Sequence, residues 1–173
     1  MIARDFLNAV ANGKEDVLQI LLDILAETGA AYCVIGGLAV NAYAEPVVSL
    51  DLDVVVAAEG VDAVAAAAAR GLNIERFEHS VNLSSAKSDL RVRLQTDERY
   101  QAFIPRAAER DVLGYRMQVA AVEDVLQGKV WAYEDPTRRA SKRQKDLADI
   151  MRLVEADSAL VTVLPPEIRK EMA

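Results

Sequence analysis

At 173 residues with an apolar fraction of 52%, the chain is long enough for one ordinary domain with a hydrophobic core. Its net charge of −7 argues against a general nucleic-acid coat protein, because such proteins need a basic surface to neutralise phosphates. One cysteine and one histidine exclude an intramolecular disulfide and leave too few ligands for a structural zinc site.

The sequence also carries expectations about location and domain organisation. Its N-terminus lacks the charged and apolar regions of a signal peptide, and its longest apolar stretch is interrupted by Glu59 and Asp62. We therefore expect a cytoplasmic protein without a membrane segment. We expect a single domain over residues 1–173, with a core to about residue 121 and a helical tail over 122–173.

Hydrophobic spacing predicts the elements in chain order. Helices are expected at 3–12 and 14–28, ended by Gly13 and Gly29. A buried strand at 31–35, a turn into a short helix at 36–44, a strand at 47–56 and an Ala-rich helix at 61–70 follow. Short strands are expected at 73–78, 81–85 and 89–96, then a less regular helical segment at 98–110 interrupted by Pro105, and a strand at 115–120. Helices at 122–133 and 139–156 and a short terminal helix complete an α/β fold, with a small mixed sheet flanked by helices and a helical C-terminal tail.

Two aspartates interrupt the apolar strand predicted at 47–56. Because a strand alternates its side chains, Asp51 and Asp53 point to one side while Leu52 and Val54 point to the other. The two aspartates are then roughly 6 to 7 Å apart at the backbone. Like charges this close disfavour each other's ionised form unless a cation or a shared proton relieves them. We therefore expect a positive group beside this pair.

A pair of glycines, Gly36 and Gly37, stands between the first buried strand and the short helix. Glycines at such a point let backbone N–H groups approach a ligand, and a helix N-terminus favours an anion. By itself the pair fits a tight turn equally well. Together with Asp51 and Asp53 it predicts a phosphate cradle beside two metal ligands, which suits metal-assisted phosphoryl or nucleotidyl transfer.

The stretch "IGGLAVNAYAEPVVSLDLDVVV" resembles the signature of the DNA polymerase beta nucleotidyltransferase superfamily: Gly-Gly or Gly-Ser, a spacer, then Asp-x-Asp between apolar residues. It is similar to the small bacterial nucleotidyltransferases grouped with the AbiEii type IV toxins. The later stretch "VEDVLQGKVWAYEDPTRRASKRQKDLADIMRL" resembles the helical tail of those proteins. The resemblance covers residues 31–153, and it implies a nucleotidyltransferase fold and a nucleoside triphosphate (NTP) substrate.

The same resemblance implies roles for particular residues. Asp51 and Asp53 would be joined by a third carboxylate, Asp89, and the three would hold Mg²⁺ or Mn²⁺. In the polymerase-like mechanism one ion orients the triphosphate and the other lowers the pKa of the attacking hydroxyl. Alternatively, Asp89 is a strand-end residue paired with Arg91. The residues implied to bind the nucleotide or its phosphates are Gly36, Gly37, Ser49, Lys129 and Lys145. For Lys129 and Lys145 the alternative is a solvated helix face or a helical ion pair.

Three functions remain open from the sequence. Many relatives carry the wording "R-x-T-x-D-x-D", whereas this chain has Val47 for the Arg and Ser49 for the Thr. The first function is nucleotidyl transfer to an antitoxin protein or an RNA acceptor within a toxin–antitoxin system. The second is a non-catalytic module on the same fold that binds a nucleotide or a partner protein. The third is an antibiotic-modifying nucleotidyltransferase of the aminoglycoside type.

Overall fold

A computed structural model describes residues 3–173, and over this range the chain forms seven α-helices and seven β-strands. The helices are α1 Ala3–Val10, α2 Val17–Thr28, α3 Gly36–Val40, α4 Val61–Ala68, α5 Val122–Glu134, α6 Ala140–Ala156 and α7 Pro166–Arg169. The strands are β1 Tyr32–Ile35, β2 Asp51–Val56, β3 Asn73–Arg76, β4 Ser80–Ser85, β5 Ser88–Gln95, β6 Ala108–Val112 and β7 Tyr115–Val119. Short 3-10 segments lie at Ala58–Gly60, Glu98–Arg106, Ser158–Val163 and Lys170–Met172. Between residues 3 and 173, none of the helices combines the length and apolar character that crossing a bilayer requires.

The strands form one mixed sheet in the order β3-β4-β5-β2-β1-β7-β6. The central strand β2 is antiparallel to β1 and parallel to β5. Helices α2 and α4 pack together against one side of the sheet. Helix α3 lies against β2, and α5 and α6 pack on α3. The predicted mixed α/β fold with a helical tail is confirmed.

The central strands show why the site lies on one face of the sheet. Leu52 and Val54 of β2 and Val92 and Leu94 of β5 are at most 1% exposed, so these alternate positions form the hydrophobic core. Asp51 and Asp53 of β2 and Arg91 and Arg93 of β5 point to the opposite face and are partly or fully exposed. The alternation of side chains along these residues therefore places charged groups on one open face.

Strand β2 begins four residues later than predicted, at Asp51 rather than at Val47. The Asn41 side chain donates to the Val47 carbonyl at 2.8 Å and accepts from the Val47 N–H at 3.0 Å. Both backbone groups of Val47 are thereby occupied by a side chain, and residues 47–50 form an approach loop instead of sheet.

The segment predicted at 98–110 also differs. A 3-10 segment covers Glu98–Arg106, and β6 follows as an edge strand paired with β7. The two strands are joined at Leu113 and Gly114, both with positive φ (51° and 82°), as expected for a two-residue hairpin turn. Four of the five β6 residues are exposed, so the strand lacks the apolar alternation from which strands are predicted.

The helical tail is attached to the core by aromatic packing. Trp131 of α5 stacks on Phe103 with ring centroids 5.7 Å apart, and it meets Tyr100 edge-on at 5.2 Å. Both partners are buried residues of the Glu98–Arg106 segment. Such pairs add to the area they bury, and this contact positions α5 and α6 over the open face of β2.

Asp16 caps α2 and ties it to two other elements. Its carboxylate accepts from the Gln19 N–H at 3.0 Å, from Arg4 at 3.0 Å and from the Tyr115 hydroxyl at 2.9 Å. Partial burial raises the pKa of Asp16, but the bonds from Gln19 and Arg4 outweigh it and hold the pKa below its ordinary value of 3.8.

We expect Asp16→Ala to lower the thermal midpoint (Tm) at pH 7 by about 2–4 °C, since an N-cap is worth about 1 kcal/mol. A depressed folded-state pKa stabilises the protein above pH 3.8, and this stabilisation is lost as the pH falls through the folded value. The difference in Tm between variant and wild type should therefore shrink as the pH falls below 3.8. Asp23→Ala, an exposed position on α2, is the control. An equal Tm loss at pH 3 and pH 7 would contradict a role for the carboxylate charge.

Candidate nucleotide-binding site

The site is built on the open face of β2 and β5. The two strands run parallel with Asp51 opposite Arg91 and Asp53 opposite Arg93. Residues opposite each other in a sheet point to the same face, so two acidic and two basic side chains form a block on this face. We call this block, Asp51, Asp53, Arg91 and Arg93, the floor of the site.

Asp51 is held by cations on both of its carboxylate oxygens. Arg91 Nε lies 2.9 Å from Oδ1, and Lys142 Nζ of α6 donates to Oδ2 at 3.1 Å. Partial burial raises the pKa of Asp51, but Lys142 and Arg91 outweigh it and hold the pKa below its ordinary value. The positive group expected beside the aspartate pair is therefore present as side chains, and Asp51 is ionised.

Asp53 has the opposite electrostatic character. Burial raises its pKa, and the attraction of Arg93 and Lys129 only partly opposes this, so the pKa stays above its ordinary value. Two adjacent carboxylates with pKa values displaced in opposite directions are typical of functional sites. A new positive partner would therefore stabilise the ionised form of Asp53 more than that of Asp51.

Gly36 lies directly against Asp53. Its φ is +73°, and a Cβ added to it would fall 2.7 Å from Asp53 Oδ2, so both the backbone conformation and the close approach require glycine. At Gly37 an added Cβ would meet Asp149 Oδ2 at 3.6 Å and Ser49 Oγ at 3.8 Å, which is ordinary contact. The glycine pair thus brings the β1–α3 turn onto the floor, with only its first member sterically required.

A cleft of about 410 Å³ opens above the floor. Beyond the four floor residues, its charged lining consists of Glu75, Arg138 and Lys142. A smaller pocket of about 150 Å³ adjoins it and is also lined by Asp53, Arg93 and Arg138, together with Gly36 and Lys129. The two cavities share the surroundings of Asp53, so an elongated ligand can extend from one into the other.

Lys129 is buried in an ion network below the smaller pocket. Its Nζ lies 3.0 Å from Asp146 Oδ1 and 2.8 Å from Asp149 Oδ2. Arg138 Nε binds the other oxygen of Asp146 at 2.6 Å, and Arg152 binds Asp149 at 2.7 Å. Burial lowers the pKa of Lys129, but the two carboxylates outweigh it and raise the pKa above its ordinary value. Lys129 is therefore a fixed positive charge beneath the site.

The remaining predicted residues lie at different distances from the floor. The Ser49 hydroxyl is buried and accepts from the Asp51 N–H at 3.2 Å, so it supports the start of β2. Lys145 is exposed on α6, and its charge acts on Asp51. Val47, which stands where many relatives carry an arginine, is half exposed. Arg152 of α6 donates to the Asn41 side chain at 2.9 Å, and Asn41 in turn bonds both backbone groups of Val47.

The structure does not bring Asp89 to the aspartate pair. Asp89 precedes Arg91 by two residues, so its backbone lies roughly 8 Å from that of Asp51 and farther from that of Asp53. It is exposed, and its N–H donates to the Ala11 carbonyl at 2.7 Å. Arg91 pairs with Asp51 rather than with Asp89. A role for Asp89 as metal ligand stays a prediction that this geometry does not support.

The predicted site residues do not include Arg91, Arg93, Arg138 or Lys142, although the sequence leaves contact with a nucleotide or RNA open for the basic run 138–145. The alternation of β5 already placed both of its arginines on one face, but only the parallel register with β2 puts them beside the aspartates. Arg138 and Lys142 belong to a basic run that also fits a solvated helix face. The contact of Lys142 with Asp51 spans 91 positions in sequence, and no local signal indicates it.

The donor set limits which metal site these residues fit. Within residues 3–173, no group of three or more His, Cys, Asp or Glu side chains is arranged to hold a metal ion. The three-carboxylate centre implied by the resemblance therefore does not fit. Asp51 and Asp53 do fit a single Mg²⁺, which is bound in many proteins by one or two carboxylates together with substrate phosphates.

Comparisons with known proteins agree on the fold. No family model matches the sequence, and no curated protein matches it. Among solved structures, ANT(2'')-Ia in complex with adenylyl-2''-tobramycin matches with a TM-score of 0.66 and 16% identity, over 91% of this chain and 97% of that chain. The lincosamide antibiotic adenylyltransferase LnuA, lincomycin-bound, matches with a TM-score of 0.57 and 13% identity, over 82% and 98%. An antigenic nucleotidyltransferase-like protein from Paracoccidioides brasiliensis matches with a TM-score of 0.54 and 14% identity, over 89% and 78%.

These likenesses extend over most of each chain at low sequence identity, and they define the class of fold. The protein has the nucleotidyltransferase fold.

Proposed function

We propose that this protein is a nucleotidyltransferase that binds an NTP in the cleft and transfers its nucleotidyl group to an acceptor hydroxyl, with cleavage of the α–β phosphoanhydride bond and release of pyrophosphate. The observation that carries the proposal is the contact of the Gly36 turn with Asp53. On this fold it joins a close backbone approach to a pair of carboxylates with displaced pKa values. A backbone that can approach phosphate oxygens and carboxylates that can hold a divalent ion are recurring parts of sites that position a phosphate chain for displacement.

The residues of the site divide into three roles. Asp51 and Asp53 would hold a divalent ion that arrives with the triphosphate, Mg²⁺ or Mn²⁺, and this ion would supply Lewis-acid polarisation of the phosphate. Gly36 and Gly37 would admit the phosphates close to the backbone. Arg138 and Lys142 at the wall of the cleft, with Lys145 at its rim, would neutralise negative charge.

The acceptor is the finer part of the proposal. The resemblance to AbiEii-type proteins supports a toxin–antitoxin role, with an antitoxin protein or an RNA end as acceptor. The basic run from Arg138 to Lys145 lies beside the cleft through Lys142, and it favours an acceptor that carries phosphate. An RNA end is therefore our first candidate, and a protein side chain is the second.

Two other functions each have one observation in their favour. The arginines opposite Asp51 and Asp53 favour a non-catalytic module that binds a nucleotide or a partner protein, because they balance the two carboxylates without a metal ion. The fold likeness to ANT(2'')-Ia and LnuA favours an antibiotic-modifying transferase. Against the latter, the cleft is lined by four basic and three acidic side chains, which suits a cationic aminoglycoside poorly.

The first test is a thermal shift of the protein with Mg²⁺ and each of ATP, GTP, CTP and UTP. A nucleotide present at 100 times its Kd should add about 2.7 kcal/mol of stability. For a chain of this size that is a rise in Tm of roughly 5–11 °C. We expect such a shift in the wild type and a clearly smaller one in the Asp51→Asn/Asp53→Asn double variant, which loses the contribution of the metal ion.

Asp89→Asn is the matched control, since it removes a third carboxylate near β2 that lies outside the cleft. It should keep the nucleotide shift, and loss of the shift would return Asp89 to the site. A labelled-nucleotide transfer assay on RNA, protein and antibiotic acceptors then separates transfer from binding alone. If no nucleotide shifts the wild type at millimolar concentration, the proposed function is wrong.

A further inference from the structure

The arrangement of charges on the floor differs from a pure carboxylate site. The register of β2 with β5 is continuous from Asp51 opposite Arg91 to Val55 opposite Gln95. A basic side chain therefore stands on the neighbouring strand opposite each aspartate. Adjacent strands lie about 4.8 Å apart, so each arginine is as close to its aspartate as a neighbouring strand allows.

The cleft is lined by four basic and three acidic side chains, and its arginines keep exposed surface beside their internal pairs. Asp51 is already shared by Arg91 and Lys142. Arg138 is anchored by two bonds to buried Asp146, at 2.6 Å and 3.3 Å, yet its side chain remains 30% exposed. Arg93 is exposed and lines both cavities. Anchored and exposed guanidinium groups thus face the same space.

Guanidinium groups can perform part of the work of a metal ion on phosphates. Each carries a planar fork of donors that matches two phosphate oxygens, and it is charged at all relevant pH values. A triphosphate presents a line of such oxygens. Arg91 and Arg93 are two residues apart on β5, and their backbones are therefore separated by roughly 6 to 7 Å. Each can meet a different phosphate.

The geometry points to direct binding of a polyphosphate by Arg91 and Arg93, supported by Arg138, without a divalent ion as the link. This inference rests on the proposed nucleotide site and names the groups that hold the phosphates there. The metal at Asp51 and Asp53 is then needed for transfer and adds to the affinity, but it is not the sole link to the phosphates. A weaker but measurable affinity for the polyphosphate should consequently survive chelation of divalent ions.

The test is a calorimetric titration of the full chain with inorganic tripolyphosphate, in EDTA and again in Mg²⁺, at low ionic strength. We expect binding in EDTA. Because a hydrogen bond to a charged group is worth more than a neutral one, Arg93→Gln should lower the affinity by about tenfold or more. Arg93 is exposed, so the variant should keep the wild-type Tm in the absence of ligand, which shows that it is folded.

Arg76→Gln is the matched control. Arg76 is an exposed arginine of the same sheet, but it follows the cleft residue Glu75 in β3 and pairs with Asp62 of α4. It therefore points away from the cleft, and its replacement should change the affinity less than twofold.

Three outcomes would overturn the inference. Binding that appears only in Mg²⁺ would show that a metal is the link, while leaving the proposed nucleotidyltransferase function intact. Equal affinity of wild type and Arg93→Gln in EDTA would remove the arginine from the site. Absence of binding in both conditions would exclude a polyphosphate site here, and a concurrent lack of any nucleotide shift would then count against the proposed function as well.

Discussion

Replacing Asp146 with asparagine is expected to lower the Tm by about 6–12 °C. Asp146 is 1% exposed and binds both Lys129 and Arg138. Breaking a buried ion pair from one side typically costs 3–5 kcal/mol, because a buried charge is left uncompensated. Lys129 keeps Asp149 as a second partner, so we expect about 3 kcal/mol, and a chain of this length loses about 2–4 °C per kcal/mol. Thermal denaturation followed by circular dichroism measures the effect.

Two further variants make this prediction specific. Glu155→Gln removes an exposed carboxylate from the same helix, α6, and should change stability by at most about 0.5 kcal/mol. The Lys129→Met/Asp146→Asn double variant should lose less than the sum of its single variants, since residues of one network are coupled. Additive losses would show that Lys129 and Asp146 are not coupled, and a change in Tm below about 2 °C for Asp146→Asn alone would show that the network does not stabilise the tail.

Replacing Gly36 with alanine is expected to destabilise the protein and to abolish nucleotide binding. A non-glycine residue in this left-handed conformation costs of order 1–3 kcal/mol, or several degrees in Tm. The added Cβ would also lie 2.7 Å from Asp53 Oδ2, so the carboxylate must leave its position. The expected result is a lower Tm without ligand and no rise on addition of Mg²⁺ and NTP.

Gly37→Ala is the matched control for this variant, one residue away in the same turn. Its Cβ would make only ordinary contacts, and its φ is not in the left-handed range. We expect its free energy of unfolding to stay within about 1 kcal/mol of wild type and its nucleotide shift to fall far less than that of Gly36→Ala. If Gly36→Ala keeps the shift, the contact between the turn and Asp53 is not part of the nucleotide site.

Much of the fold follows from local patterns. Gly29 ends α2 in a left-handed C-cap with φ of 64°, as its position after an apolar helical stretch predicts. The alternation predicts which side chains are buried along β5 and at the start of β2, where Asp51 to Val54 alternate. Strand β6 has no such pattern because an exposed edge strand need not alternate, and β2 begins later than its apolar run predicts because the Asn41 side chain occupies the Val47 backbone.

The candidate site divides in the same way. Asp51 and Asp53 are recognisable because carboxylates are rare in an apolar strand, and Gly36 because it stands between a strand and a helix. The family resemblance implies a third carboxylate on a neighbouring strand, for which Asp89 is the candidate, but it does not specify which residue of β5 faces which residue of β2. That choice belongs to the register, which places Arg91 and Arg93 opposite the pair.

Local patterns in the sequence are sufficient for the α/β class of the fold, the side of β2 that carries the aspartates and the glycine turn beside them, because these depend on periodicity and on single-residue conformational preferences. The surroundings of the aspartates depend instead on tertiary contacts. Strand register, the docking of α6 and the burial of Lys129 with Asp146 depend on contacts between residues far apart in the chain. Such contacts set the local charge balance, and no local pattern encodes them.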